Sequence, residues 1–381
     1  MHFSNWPLTA FLKEQTVDNS NICAPHFVDV EITINELLGC LELIHKLEYS
    51  ALYPDCSLIR HIEPESHLES FVSDLLPFLT FSGVYIVESF SYKDEPLANL
   101  ITHRLSSATG IKPIHIESEF GVEERLTLNK GGNMIYTSEN ISDPKILLCR
   151  HAVEHSSDAL GLLSAIARKM KSGDYLVVEI PDSSKLLQHR QWALLWECHR
   201  IYLTYYSACR LFRICGLDIV HSKRYQCPNE DVLCFMLRAS PRIQEQKISS
   251  DNNALHEAEI DQCTSFIKSY TMYIDKSQIR LQEFSKCDVV ALLGGGHIGL
   301  THIYLTGLNH TIDFIIDDDP NKMGMFSPCG NLRILSSSEC VKAYNDEKIG
   351  ILSSLSDEVT NRIISRLCAC GLDIPHSVLI F

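Results

Sequence analysis

Basic residues are scarce: 33 Lys and Arg stand against 48 Asp and Glu over 381 residues, a formal charge of −15. A sequence-independent grip on nucleic acid needs Lys and Arg to displace counterions from phosphates, so this balance, with no basic run to offset it, argues against a nucleic-acid partner. Long apolar runs are missing too. No stretch of 18 apolar residues occurs, so no membrane-spanning helix is expected. The opening residues MHFSNWPLTAFLKEQ lack the basic start and apolar h-region of a secretory signal. The expectation is a soluble, cytoplasmic protein. Paired cysteines are absent: the fifteen Cys are scattered, none forms Cys-x-x-Cys, and Cys368 and Cys370 are too close for a structural zinc site. Reduced thiols without a metal follow. Glycine is missing from the whole stretch between Gly39 and Gly83.

What remains is an ordinary globular composition, 45% apolar and 21% charged, in a chain long enough for two or three domains. The polar stretch from Ser240 to Asn253 reads as a linker. Before it, apolar runs at Val84–Glu88, Ile111–Ile116, Lys145–Cys149 and Tyr175–Ile180 read as strands, and Asp158–Met170 as a helix. Such alternation predicts a mostly parallel sheet with helices on both faces. After it, Ala254–Phe284 has helical spacing. Then come a strand at Asp288–Leu293, a glycine turn at Gly294–Gly299, a helix at Ile298–Leu308 and a strand at Thr311–Ile316 ending in Asp317-Asp318-Asp319. A second α/β unit is therefore expected.

Three groups of residues suggest chemistry. Arg150-His151-Ala152-Val153-Glu154-His155 follows a strand, and its H-x-x-E-H would be an inverted zinc-protease motif if both histidines shared a helical face; the strand-to-loop context opposes that. Lys171–Asp182 carries Gly173, Glu179 and Asp182 through the next strand. The turn holding Gly294, Gly296 and Gly299, with Asp317 at the next strand end, meets the context of a dinucleotide fingerprint, which taken alone suggests NAD. Backbone amides at that helix start could hold a phosphate.

The first two stretches, in this order and separation, resemble the "R-H-x-x-E-H" and "K-x-G-G-x-x-x-x-E-x-P-D" segments of the sugar C-methyltransferases, which use S-adenosylmethionine. Pro7-Leu8 and Phe27–Pro54 look like that family's N-terminal module. Trp196-Glu197-Cys198-His199 looks like its "Y-x-E-H" stretch, and Gly294–Gly299 with Asp317–Gly324 like the motifs of its last domain. The resemblance implies a class I methyltransferase-like Rossmann domain and a second, C-terminal Rossmann-like α/β domain. The units would be an N-terminal module over 1–55, a methyltransferase-like domain over 56–240, a connecting helix over 254–285 and the last domain over 286–381. It implies S-adenosylmethionine as cofactor, held around Glu63, Glu88, Arg150, His151 and His155, with Glu88 at a strand end as the acid for the ribose. It implies a nucleotide-linked keto sugar or related carbonyl compound near Glu179, Gly294, Gly296, Gly299 and Asp317. Carbon methylation requires removal of a proton beside a carbonyl. His199 suits the base, and Tyr205 and Tyr206 could hydrogen-bond the enolate oxygen.

The chain departs from the family in three places. Where the family has Glu before the histidine this chain has Cys198, with Glu197 one place earlier, and the pair Tyr205 and Tyr206 lies later than is usual in the family. Of the Cys pairs that hold zinc in its N-terminal module only Cys40 stands near the expected position. Where the cofactor loop should read G-x-x-x-G, because only glycine lets backbone approach the ligand closely, this reading places Ile59–Leu68, without glycine. Two other classes therefore stay open: a non-catalytic or repurposed binding protein on the same fold, and an NAD-dependent oxidoreductase.

Overall fold

The structure, a computed structural model, describes residues 1–8, 27–46, 65–79, 85–90, 92–105, 112–113, 144–227, 230–240 and 250–380. Its strands in chain order are β1 (His2–Pro7), β2 (Phe27–Asn35), β3 (Cys40–Ile44), β4 (Ile86–Ser89), β5 (Lys112–Pro113), β6 (Lys145–Arg150), β7 (Tyr175–Pro181), β8 (Ile201–Tyr202), β9 (Leu217–Tyr225) and β10 (Val232–Ala239). A second group follows: β11 (Val289–Leu293), β12 (Phe314–Ile316), β13 (Ile334–Leu335), β14 (Lys348–Ser353) and β15 (Asp373–Leu379). They form three sheets, ordered β1-β2-β3-β8, β5-β4-β6-β7-β10-β9 and β13-β12-β11-β14-β15.

The first sheet is antiparallel. In β2 Val28, Val30 and Ile32 are buried while Phe27, Asp29 and Glu31 face outward, the period-two pattern of a sheet with one covered face. That face packs on Trp192 and Phe266. The fourth strand, β8, comes from residues expected in the methyltransferase-like unit, so the N-terminal sheet is completed by a later part of the chain.

The six-stranded sheet is the expected mostly parallel α/β unit. β5, β4, β6 and β7 run parallel, and β10 and β9 close one edge antiparallel. β6 and β7 are apolar without alternation because both faces are covered. One face packs Leu147, Val178 and Phe235 against the helices Ala159–Lys169 and Tyr205–Ile214. The other packs Ile146, Val177 and Met236 against Leu68–Leu75 and Glu95–Arg104. From β4 the chain goes outward to β5 and then returns to β6 on the other side of β4. The switch point of the sheet thus lies between the carboxyl ends of β4 and β6, where open α/β sheets bind ligands.

The third sheet is all parallel, a second Rossmann-like unit, as expected. The connecting helix is not continuous. It runs as Ser250–Lys268 and Tyr270–Leu281, and at the break Ser269 Oγ donates to the Phe266 carbonyl at 2.6 Å and accepts from Trp192 Nε1 at 3.1 Å. Among the described residues no helix is long and apolar enough to cross a membrane.

Candidate functional site

The switch point is bridged by charged side chains. Asp94, fully buried, accepts from the Phe90 amide at 2.8 Å on the β4 side and from the Arg150 amide at 2.7 Å on the β6 side. Lys93 Nζ crosses to the His151 carbonyl at 3.1 Å. Arg150 donates to the Lys93 carbonyl, and from Nε and Nη2 to the two Glu179 oxygens at 2.9 Å each. His151 sits at φ 46°, a strained conformation for a residue with a Cβ, and its two ring nitrogens reach Glu154 at 3.2 Å and Glu179 at 2.9 Å. Burial pushes the Glu179 carboxyl up, but hydrogen bonds from His151 and His67 and the charges of His151 and Arg150 outweigh it and hold it well below the usual carboxylate range. Charges this buried persist because each has a partner.

One turn further, a second constellation forms. Val153–His155 is a single 3-10 turn, and the segment 196–200 lies against it, tied by the Arg200 amide to the Glu154 carbonyl at 2.6 Å. His155 Nδ1 donates to the Cys198 carbonyl at 3.1 Å. The His155 and His199 rings meet edge to face at 4.7 Å. The segment is closed on itself by Tyr202, whose hydroxyl accepts from the Trp196 amide at 2.7 Å and donates to the Trp196 carbonyl at 3.0 Å. His155 and Cys198 are buried, and His199 is partly exposed.

Measured against these two clusters, the expected residues separate. Arg150, His151 and Glu179 meet at the switch point, and His155 and His199 meet beside it. Tyr205 and Tyr206 join neither: Tyr205 starts a helix and bonds Ser222 at 3.1 Å, and Tyr206 is half exposed. The tyrosine beside His199 is Tyr202, with ring centroids 5.9 Å apart, because residue 205 has already turned into the helix capped by Thr204.

Glu63 lies outside the described residues. Most of the stretch 59–68 lies outside them as well. Among the described residues the first parallel strand of the sheet is β4, Lys93 and Asp94 follow it at the crevice, and the Leu68–Leu75 helix covers a sheet face. The stretch after β4 is without glycine too, since none occurs between Gly83 and Gly110. Glu88 is drawn back by an ion pair of 2.7 Å to Lys145, the first residue of β6. His151 and His155 are held by different partners on a single turn, which does not give the shared helical face a zinc protease needs. Near the N-terminus, burial first and then the neighbouring Cys263 push the Cys40 thiol well up.

In the C-terminal unit the glycine turn is built for close packing. A Cβ on Gly299 would lie 2.8 Å from the Gly294 carbonyl oxygen, and Gly294 has φ 94°. Gly296 faces open space. Asp317 already accepts from the Gly295 and Asp319 amides and pairs with Lys322, each at 2.9 Å. The helix start is covered as well. His297 donates to the Leu195 carbonyl at 2.9 Å, stacks on Trp196 at 3.5 Å and faces Glu197 at 3.4 Å. A cavity of about 900 Å³ opens beside the turn's neighbours, lined by Asp318, Ser337, Lys342 and Arg366, a volume within the range of small-molecule sites.

Lys93, Asp94, Cys198 and Tyr202 were not legible as site residues. Lys93 and Asp94 reach partners 58 and 56 positions away, and only the strand order brings them there.

No protein-family model matches the chain, and no curated protein does. Among solved structures it is similar to a S-adenosylmethionine-dependent methyltransferase from Clostridium acetobutylicum, at 8% identity over 47% of this chain and 93% of that one, with a TM-score of 0.31. It is similar to the N-methyltransferase NodS from Bradyrhizobium japonicum, at 12% over 46% and 98%, with a TM-score of 0.28. A third is the 1,6-didemethyltoxoflavin N1-methyltransferase of Burkholderia thailandensis with bound 1,6-didemethyltoxoflavin and S-adenosylhomocysteine, at 10% over 60% and 99%, with a TM-score of 0.32. At such identities and scores the likeness says nothing about chemistry.

Proposed function

We propose that the chain is an S-adenosylmethionine-dependent methyltransferase acting on a small molecule, with a nucleotide-linked keto sugar or a related carbonyl compound as acceptor. The observation that carries this reading is the meeting of His155, His199 and the Tyr202-closed segment one turn beyond the switch point of a class I methyltransferase-like sheet. In this reading 56–240 is the catalytic unit and 286–381 an accessory one.

The donor set at the switch point suits the cationic end of the cofactor. Asp94 is taken by the Phe90 and Arg150 amides and both Glu179 oxygens by Arg150, so the acceptors left for it are the Glu154 carboxylate and the His151 carbonyl, against which Lys93 places an ammonium. An amino-acid ammonium could replace that of Lys93 once this side chain swings out. Glu154 Oε2, buried without a hydrogen-bond partner, is a further acceptor there. When bound, the cofactor supplies an electrophilic methyl group. The chain's residues do the rest: Arg150 and Asp94 fix the strand ends, and His199 takes the proton from the carbon beside the acceptor's carbonyl, leaving an enolate carbon to receive the methyl. Holding donor and acceptor in line is the main source of acceleration.

A specific observation favours a second reading, retention of the fold for binding without methyl transfer. The crevice is bridged by Lys93 and Arg150, and the connection after β4 has no glycine. One experiment separates the two: incubation with isotopically labelled S-adenosylmethionine and a panel of keto-sugar nucleotides, read by mass spectrometry. Labelled product that falls about 10²–10⁴-fold in His199→Ala supports the enzyme. No labelled product from the wild-type protein supports the second reading.

A further inference from the structure

We infer that His155, Cys198 and His199 form a binding site for a divalent transition-metal cation of the zinc type. The inference concerns what these three side chains hold, and it bears on the proposed reaction because it makes His199 a ligand. One ligand atom from each lies within 4.8 Å of the others. Tetrahedral zinc with nitrogen at about 2.0–2.1 Å and sulfur at about 2.3 Å sets its ligands roughly 3.3–3.6 Å apart. Ligand atoms this close need to approach by no more than about 1.5 Å to close the triad.

Three further features fit a metal. First, the Cys198 carbonyl can only accept, so its hydrogen bond with His155 keeps a proton on Nδ1 and directs coordination to Nε2. Metal-bound histidines are held in this way, the other ring nitrogen donating to a carbonyl or carboxylate. Second, the two segments carrying the ligands are fastened before any ion arrives. The Arg200 amide bonds the Glu154 carbonyl, the His199 amide bonds the Trp196 carbonyl at 3.1 Å, and the Tyr202 hydroxyl closes residues 196–202. Third, two imidazoles and one thiolate select zinc or cobalt over magnesium or calcium, which prefer oxygen. Binding releases the Cys198 thiol proton to solvent.

Buried His155 and Cys198 form the floor and partly exposed His199 the entry. Three protein ligands leave the fourth position to water, the arrangement of zinc sites that act on small molecules. In the metal-loaded protein His199 would be a ligand and not a base, and the ion would supply Lewis acidity at this position. His67, Glu179 and Cys234 are a second triple of suitable types. There, however, Arg150 holds both Glu179 oxygens, so an incoming cation would face a guanidinium.

The test uses the full chain titrated with cobalt(II), read by absorbance. The expected result is one equivalent bound, with a thiolate-to-cobalt charge-transfer band and the intense visible bands of tetrahedral cobalt. Cys198→Ser should abolish the charge-transfer band, and His199→Ala should weaken binding more than about tenfold. Far-UV circular dichroism of both variants reports folding, and His199→Ala, at a partly exposed position, keeps the test open if Cys198→Ser does not fold. No bound cobalt in the wild-type protein would overturn the inference. So would a charge-transfer band that survives Cys198→Ser and disappears in Cys234→Ser, which would place the ion at the second triple.

Discussion

The Tyr202 hydroxyl serves two backbone groups of Trp196 at once and is itself buried. Tyr202→Phe removes that partner from the part-buried Trp196 amide and carbonyl, the latter keeping the His199 amide, a loss of about 1–2 kcal/mol readable as a lower urea midpoint. Tyr206→Phe, on the exposed side of its helix, should change stability by less than about 0.5 kcal/mol. Equal losses would show that the 196–202 segment is not fastened as described. Glu179 sets a pH dependence. Its folded pKa is depressed, so its stabilising contribution is complete above the unfolded value of about 4.3 and is lost as pH falls through that value toward the folded one. Thermal unfolding of Glu179→Gln should therefore show a shallower decline between neutral pH and pH 3 than the wild-type protein. A parallel decline in both would assign the acid sensitivity to other groups.

The helix His297–Leu305 and strand β11 touch through Gly299, where a Cβ would meet the Gly294 carbonyl oxygen at 2.8 Å and a Leu292 methyl at 3.0 Å. Gly299→Ala should cost about 1–3 kcal/mol by overpacking. Gly296→Ala, at an open helix N-cap, should cost under about 1 kcal/mol. Urea unfolding of both variants checks this, and a reversed order would mean that the turn is packed differently. The same comparison shows what a glycine pattern reports. Gly294, Gly296 and Gly299 gave the strand-turn-helix correctly, because backbone conformation and close approach depend on glycine itself. A bound ligand depends on what else occupies the helix start, and His297, Trp196 and Glu197 reach it from residues a hundred positions apart. β6 and β7 were legible because burial on both faces demands unbroken apolar runs. The break at Ser269 was not, since it depends on a hydrogen bond from the distant Trp192.

Across the chain, the alternation of strand and helix was enough to predict two α/β units, and three sheets emerge, of which the six-stranded one has its switch point between β4 and β6. The order of strands was not legible. β4 was expected to carry the ribose acid, and its place beside β6 brings Lys93 and Asp94 to the crevice. Their presence there exposes the central tension of the molecule. The acceptor-rich crevice suits a cation, and Lys93 already fills it with one. If the cofactor's ammonium takes the same carbonyl, it competes with a charge-assisted hydrogen bond of about 1.5–3 kcal/mol, which corresponds to about 10–100-fold in affinity.

Calorimetric titration of wild-type protein and Lys93→Ala with S-adenosylmethionine measures this directly, with circular dichroism to confirm that the variant is folded. The methyltransferase reading predicts saturable one-to-one binding in both proteins, about 10–100-fold tighter in Lys93→Ala. Absence of binding in both folded proteins would contradict it.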